Sequence, residues 1–238
     1  MGEDVARDYS EPVLSGEGED DYARYMRTVA LLSLQRRPEE MVHRDELLFQ
    51  VVHQSTELWL KLAGSEVAEA EARIRADDPD AAVALLARAV LAVELITDQL
   101  RMLRHLAPWD FQLIRTVLGN GSGFESPGWR GVREQSQRIG AAFDRLLAER
   151  EVDLVELYRT GRPAPLYRLA EALVDWDERI AVWRTVHYKV ATRIIGHQVV
   201  GTKGTPVDTL AKLIVHKFFP DLWQVRTELT CVGPMGER

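Results

Sequence analysis

From His43 to Lys61 the chain repeats apolar residues at three- and four-residue steps: Leu48, Val51, Val52, Leu58 and Leu62. That spacing puts them on one side of an α-helix, and the pattern continues through 63–74. A stripe so long has to be covered by other long helices. Candidates follow at about 80–106, 129–149 and Leu166 to about Ile195. Asp78-Pro79 supplies a capping side chain followed by a proline suited to a first helical turn. Shorter helices are predicted from Asp20 or Asp21 to about Gln35, from Pro108 to the Gly119–Gly123 loop, and at about 208–218 and 220–229. No run alternates with period two between turn signals, and no internal repeat is found. The expected class is all-α, a bundle of long antiparallel helices. Residues 1–19, acidic and rich in Gly, Ser and Pro, are expected to be a mobile arm ahead of a single domain over 20–238.

A formal charge of −7 argues against an electrostatic hold on nucleic acid or an anionic membrane. One cysteine, Cys231, excludes an internal disulfide framework and a cysteine-rich metal site, and fits a reducing cytoplasm. The first twenty residues hold no apolar run of the signal-peptide kind. The most apolar window, 81–93, is interrupted by Arg88 and too short to span a bilayer. The expectation is a cytoplasmic protein.

Chemistry-bearing residues are few. Of the six histidines, His43 closes a Glu40-x-x-His43 motif of the di-iron type, but that site needs a second such motif and the chain has none. HExxH, the GxxxxGK[ST] phosphate loop and the GxSxG elbow are all absent. His53 and His187 remain, each embedded in apolar helical sequence. Each has two readings: a packed core histidine, or a polar group aimed into an apolar pocket. One neutral imidazole on a helix is how many haem proteins hold iron, the opposite side then being an apolar pocket with a few polar groups. Phe49 lies one turn before His53 on the same helix face. GNGSG at 119–123 and GTKGT at 201–205 offer backbone N–H groups and hydroxyls to an anionic group. Arg115 is either a surface arginine or a two-pronged carboxylate clamp.

Several separate segments resemble the tryptophan 2,3-dioxygenase family. HRDELLFQVVHQSTELWLKL is similar to its H-D-E-x-L-F-x-x-x-H-Q-x-x-E-L-W-x-K segment, and FQLIRTVLGNGSGFES to its F-R-x-x-L-x-x-x-S-G-F-Q-S segment. LAEALVDWDERIAVWRTVHYKVATRIIG resembles the helix ending W-R-x-x-H-x-x-x-V-x-R-x-I-G. GTKGT and FFPDLWQVRTEL resemble the GTGGS loop and the closing F-P-E-L-x-x-x-R-T segment. The resemblance implies haem b held by His187 as proximal iron ligand, with His53 distal and bonded to the indole N–H of the substrate. It implies Phe49 against the indole, Phe111 beside it, Arg115 on the amino-acid carboxylate, Thr202 at the substrate's polar end, and Ser122 near that end and a haem propionate. Tyr22, 31 residues before His53, would reach into a neighbouring subunit's pocket, so a homotetramer, a dimer of dimers, is implied as well. The implied reaction inserts both atoms of O2 across the indole C2–C3 bond of L-tryptophan.

Departures from the family pattern cluster around the expected pocket. Phe111 stands where tyrosine is usual, GTKGT replaces GTGGS, and Ser126-Pro127-Gly128-Trp129 replaces S-L-Q-[FY]. One extra residue separates His187 from the second loop, and the stretch between Leu147 and Leu166 is short for the family. They leave a second expectation open, a haem monooxygenase forming an oxindole from a substituted tryptophan or hydroxylating tyrosine.

Overall fold

The computed structural model describes residues 11–160, 164–201, 204 and 206–233. Its helices are α1 (Asp21–Met26), α2 (Thr28–Leu32), α3 (Glu46–Arg75), α4 (Pro79–Leu103), α5 (Pro108–Arg115), α6 (Pro127–Glu149), α7 (Leu154–Thr160), α8 (Pro165–Ile195), α9 (Thr209–Ile214) and α10 (Pro220–Val232). Among the described residues the only extended pairing is one bridge between Val200 and Pro206. The all-α expectation holds, and no described helix is long and apolar enough to cross a membrane.

Four helices make the frame: α4 packs between α3 and α8, and α6 lies along the other side of α3. Their directions follow from cross-helix pairs. Glu57 meets the start of α6 and Glu71 meets Arg138 further along, so α3 and α6 run parallel. Asp80 pairs with Arg168 and Glu94 with Arg179, so α4 and α8 run parallel too. Trp176 donates to Ser136 while Trp183 meets Trp129 in a tilted ring contact, which makes α6 and α8 antiparallel. The tight 76–78 turn makes α3 and α4 antiparallel, with Asp78 accepting the Ala81 N–H as predicted. The main core lies inside this frame, built from Leu60–Ile74, Ala82–Ile96, Val132–Leu147 and Leu166–Ile180. Asp177, 1% exposed, ties α10 down by accepting the N–H groups of Phe218, Phe219 and Trp223.

Some boundaries differ from expectation. The helix predicted over 21–35 is two helices, because Arg27 takes a left-handed conformation (φ 53°). The long helix expected from His43 begins at Glu46, whose carboxylate reaches back to the Val42 and His43 N–H groups. Helix α7 was not anticipated. Asp153 caps it, and Tyr158 buries its one strongly apolar face.

Candidate active site

At one end of the frame the helices enclose a second, smaller core. Val52 of α3, Leu100 and Leu103 of α4, Ile114 of α5, and Val190 and Ile194 of α8 form it. Phe49, Phe111, Trp183 and Val186 pack on its edge. Helix α5, started by Pro108, closes this end and presents Phe111 toward Phe49, ring centroids 5.7 Å apart. The Phe49 ring in turn lies 4.0 Å from that of His53, as the four-residue spacing requires.

His53 Nδ1 is 2.7 Å from the Phe49 carbonyl oxygen. That oxygen can only accept, so Nδ1 carries the proton and the neutral ring leaves Nε2 bare as an acceptor. Solvent reaches the His53 ring, yet the protein around it holds its basicity below the ordinary histidine range. Burial dominates over the opposing pull of the Phe49 carbonyl and the Glu57 carboxylate. His187, on the neighbouring face of α8, is pushed down to about 4, first by burial and then by the charge His53 would carry. Both imidazoles lie beside residues that pack on the smaller core, His53 beside Phe49 and His187 beside Trp183. No described residue hydrogen-bonds the His187 ring. Its fixed neighbour is the indole of Trp183, stacked at 4.8 Å and 8°.

Arg115 ends α5 and spends its guanidinium on two long contacts, 3.3 Å to Gln112 Oε1 and 3.2 Å to the Val200 carbonyl. The second contact ties it to Val200, whose neighbour Val199 accepts the Val207 N–H through its carbonyl. Thr202 lies outside the described residues. Ser122 sits in a short turn that places Glu125 against its N–H, while its hydroxyl accepts from Phe124 at 3.4 Å. Tyr22 is 67% exposed on α1, apart from the cluster within one chain.

The geometry also gives roles to Glu57, Asp45 and Asp110, not singled out from sequence, and a different role to His43. Glu57, one turn past His53, accepts from the Ser126 hydroxyl and the Gly128 N–H, locking the start of α6 to α3. His43, Asp45 and Asp110 gather between the starts of α3 and α5, with ligand atoms close enough for a cation. The Asp45 N–H donates to His43 Nδ1 at 3.2 Å, so the nitrogen facing Asp110 carries the proton. That trio is a clasp between helix starts, where carboxylates also suit the helix dipoles.

The sequence model of the family described as tryptophan 2,3-dioxygenase matches residues 8–142. The chain is 30% identical to a tryptophan 2,3-dioxygenase of Arthrobacter sp. over 96% of both chains. This chain belongs to the tryptophan 2,3-dioxygenase family. A Myxococcus xanthus tryptophan 2,3-dioxygenase is 29% identical over 91% of this chain and 92% of its own, and one from Bradyrhizobium sp. is 30% identical over 90% and 94%. The family model stops within α6, but an alignment over 96% of the chain necessarily takes in α8 and His187. Phe111 packs on the edge of the smaller core, its ring beside that of Phe49.

Proposed function

We propose that this chain is a haem-dependent dioxygenase that cleaves the indole C2–C3 bond of L-tryptophan with O2 to give N-formylkynurenine. One observation carries the reading: imidazoles from two different helices flank the same apolar cluster, His53 beside Phe49 with a bare Nε2, and His187 beside Trp183 with no hydrogen bond among the described residues. These residues suit a haem, which needs one neutral nitrogen donor and an otherwise apolar lining. When bound, haem b supplies the iron that activates O2.

The chain's own work is binding and orientation. His187 would hold the iron, as the buried neutral nitrogen donor on α8. His53 Nε2 accepts the substrate's indole N–H, and the proton on Nδ1 keeps that acceptor in place through the Phe49 carbonyl. Phe49 and Phe111 wall the flat ring and exclude water. Arg115 exchanges its two long, neutral contacts for a two-pronged, charge-assisted bond to the amino-acid carboxylate. Ser122 and Thr202 would serve the polar end, and Ser122 would also help hold a haem propionate.

Tyr22 completes the site of a neighbouring copy in a homotetramer, a dimer of dimers. In support, α1 and α2 bury no residue, and Tyr25 and Leu32 are 76% and 75% exposed. The same reading treats residues 20–238 as one haem-binding domain behind an acidic arm. Its unpaired Cys231 suits a cytoplasmic setting.

Ferrous, haem-loaded protein given L-tryptophan and labelled O2 is expected to yield a product carrying both oxygen atoms. A product with one added oxygen, or none despite full haem loading, overturns the proposal.

A further inference from the structure

A histidine that binds a metal usually has its ring plane set by a hydrogen bond from its other nitrogen to a carboxylate or carbonyl. His187 has no such protein partner among the described residues. What lies against it is Trp183, one turn earlier on α8, its indole 8° from parallel and 4.8 Å away. Behind Trp183 stands Trp129 of α6, ring centroids 4.1 Å apart. Trp183 packs on both the main core of the four-helix frame and the smaller core around the two histidines, and no other described side chain does so.

We propose that Trp183 is the positioning residue for the proximal imidazole: its indole, backed by Trp129, fixes the plane in which His187 meets the iron. This rests on the reading of His187 as the haem ligand. The stack replaces a hydrogen bond by a wall. A stacked ring resists rotation of the imidazole about its Cβ–Cγ bond without drawing on the ring's proton, so His187 stays a neutral donor. Because α6 and α8 converge at this pair, the rigidity of the frame reaches the ligand through ring contacts alone.

The test compares full-length, haem-loaded protein with Trp183→Leu and Trp183→Phe. Trp183 Nε1 makes no hydrogen bond among the described residues, so neither change strands a described partner. Two quantities are read: the iron–histidine stretching band of the ferrous protein by resonance Raman, and the rate at which haem passes to apomyoglobin. In Trp183→Leu the band is expected to shift and broaden and haem loss to quicken about tenfold or more, the scale for losing an outer partner of a metal ligand. In Trp183→Phe, whose smaller ring cannot span from His187 to Trp129, both effects are expected in the same direction and smaller. Band and rate unchanged in Trp183→Leu overturn the proposal; where that variant does not fold, unchanged values in Trp183→Phe do so. Failure of the underlying reading is seen separately, as an iron–histidine band that survives in His187→Ala or is missing from the wild type, and it takes this proposal with it.

Discussion

His187 illustrates how a residue's surroundings become a measurable property of the whole chain. Burial, aided by His53, lowers its basicity to about 4, whereas an unfolded histidine takes its proton near pH 6.5. Between those values the unfolded chain binds a proton that the folded chain refuses, so stability rises with pH there. The contribution is complete above about pH 6.5 and is lost as the pH falls through the window toward 4. It is worth at most about 3 kcal/mol, less for the side of the ring open to solvent. Haem-free protein is expected to melt at lower temperature at pH 5 than at pH 7, and His187→Phe to flatten that dependence. An equally steep profile in the variant would assign the titration to other groups. His53 and Phe49 were legible as a pair because helical spacing alone joins residues four apart. His187 was legible as a candidate from its apolar helix, but the partners that give it meaning were not. Trp183 is four residues away on the same helix, yet its anchoring to Trp129 depends on how α8 crosses α6, which no local pattern encodes.

At the level of elements, sequence periodicity located the long helices because each keeps an apolar stripe and most begin at a proline or a capping side chain. It did not show the break at Arg27, where no glycine or proline marks the left-handed turn. Nor did it show α7, too short for its period to stand out. The close approach of α6 to α3 at its start was equally hidden, since it depends on one small residue. A Cβ on Gly128 would lie 2.7 Å from Glu57 Oε2 and 2.7 Å from Leu60 Cβ. The departure Ser126-Pro127-Gly128-Trp129 thus has a packing meaning: proline opens α6, Ser126 caps it, and glycine lets it touch α3. Gly128→Ala is expected to push the helices apart and cost about 1–3 kcal/mol, the scale of overpacking a filled contact. Urea unfolding measures it. A midpoint equal to wild type would mean that α6 relaxes freely along α3.

For the molecule as a whole, the surface is the informative part. Val51, Leu58 and Leu62, which the sequence pattern predicts to be covered within the chain, are instead exposed and with Leu47 form a stripe along α3, while Leu91, Leu95 and Met102 form another along its antiparallel neighbour α4. A single soluble chain rarely leaves apolar ground of this extent open, and the unburied α1 and α2 add to it. The segment between α2 and α3 fixes where that ground begins: Arg36 N–H and the Gln35 amide bond to Gln50 and Gln54, which hold α2 beside α3 without burying it. If other copies cover these faces, light scattering should give wild-type protein a mass close to four chains. Leu62→Lys combined with Leu95→Lys should lower that mass by placing like charges in the covered ground. Haem binding should survive the split, because His187, Trp183 and the apolar lining all come from one chain. Affinity for the amino acid should fall, because Tyr22 would no longer reach a neighbour's pocket. A variant that dissociates and still binds substrate as wild type does would separate assembly from the site, and a wild-type mass of one chain would leave the exposed stripes in need of a different partner.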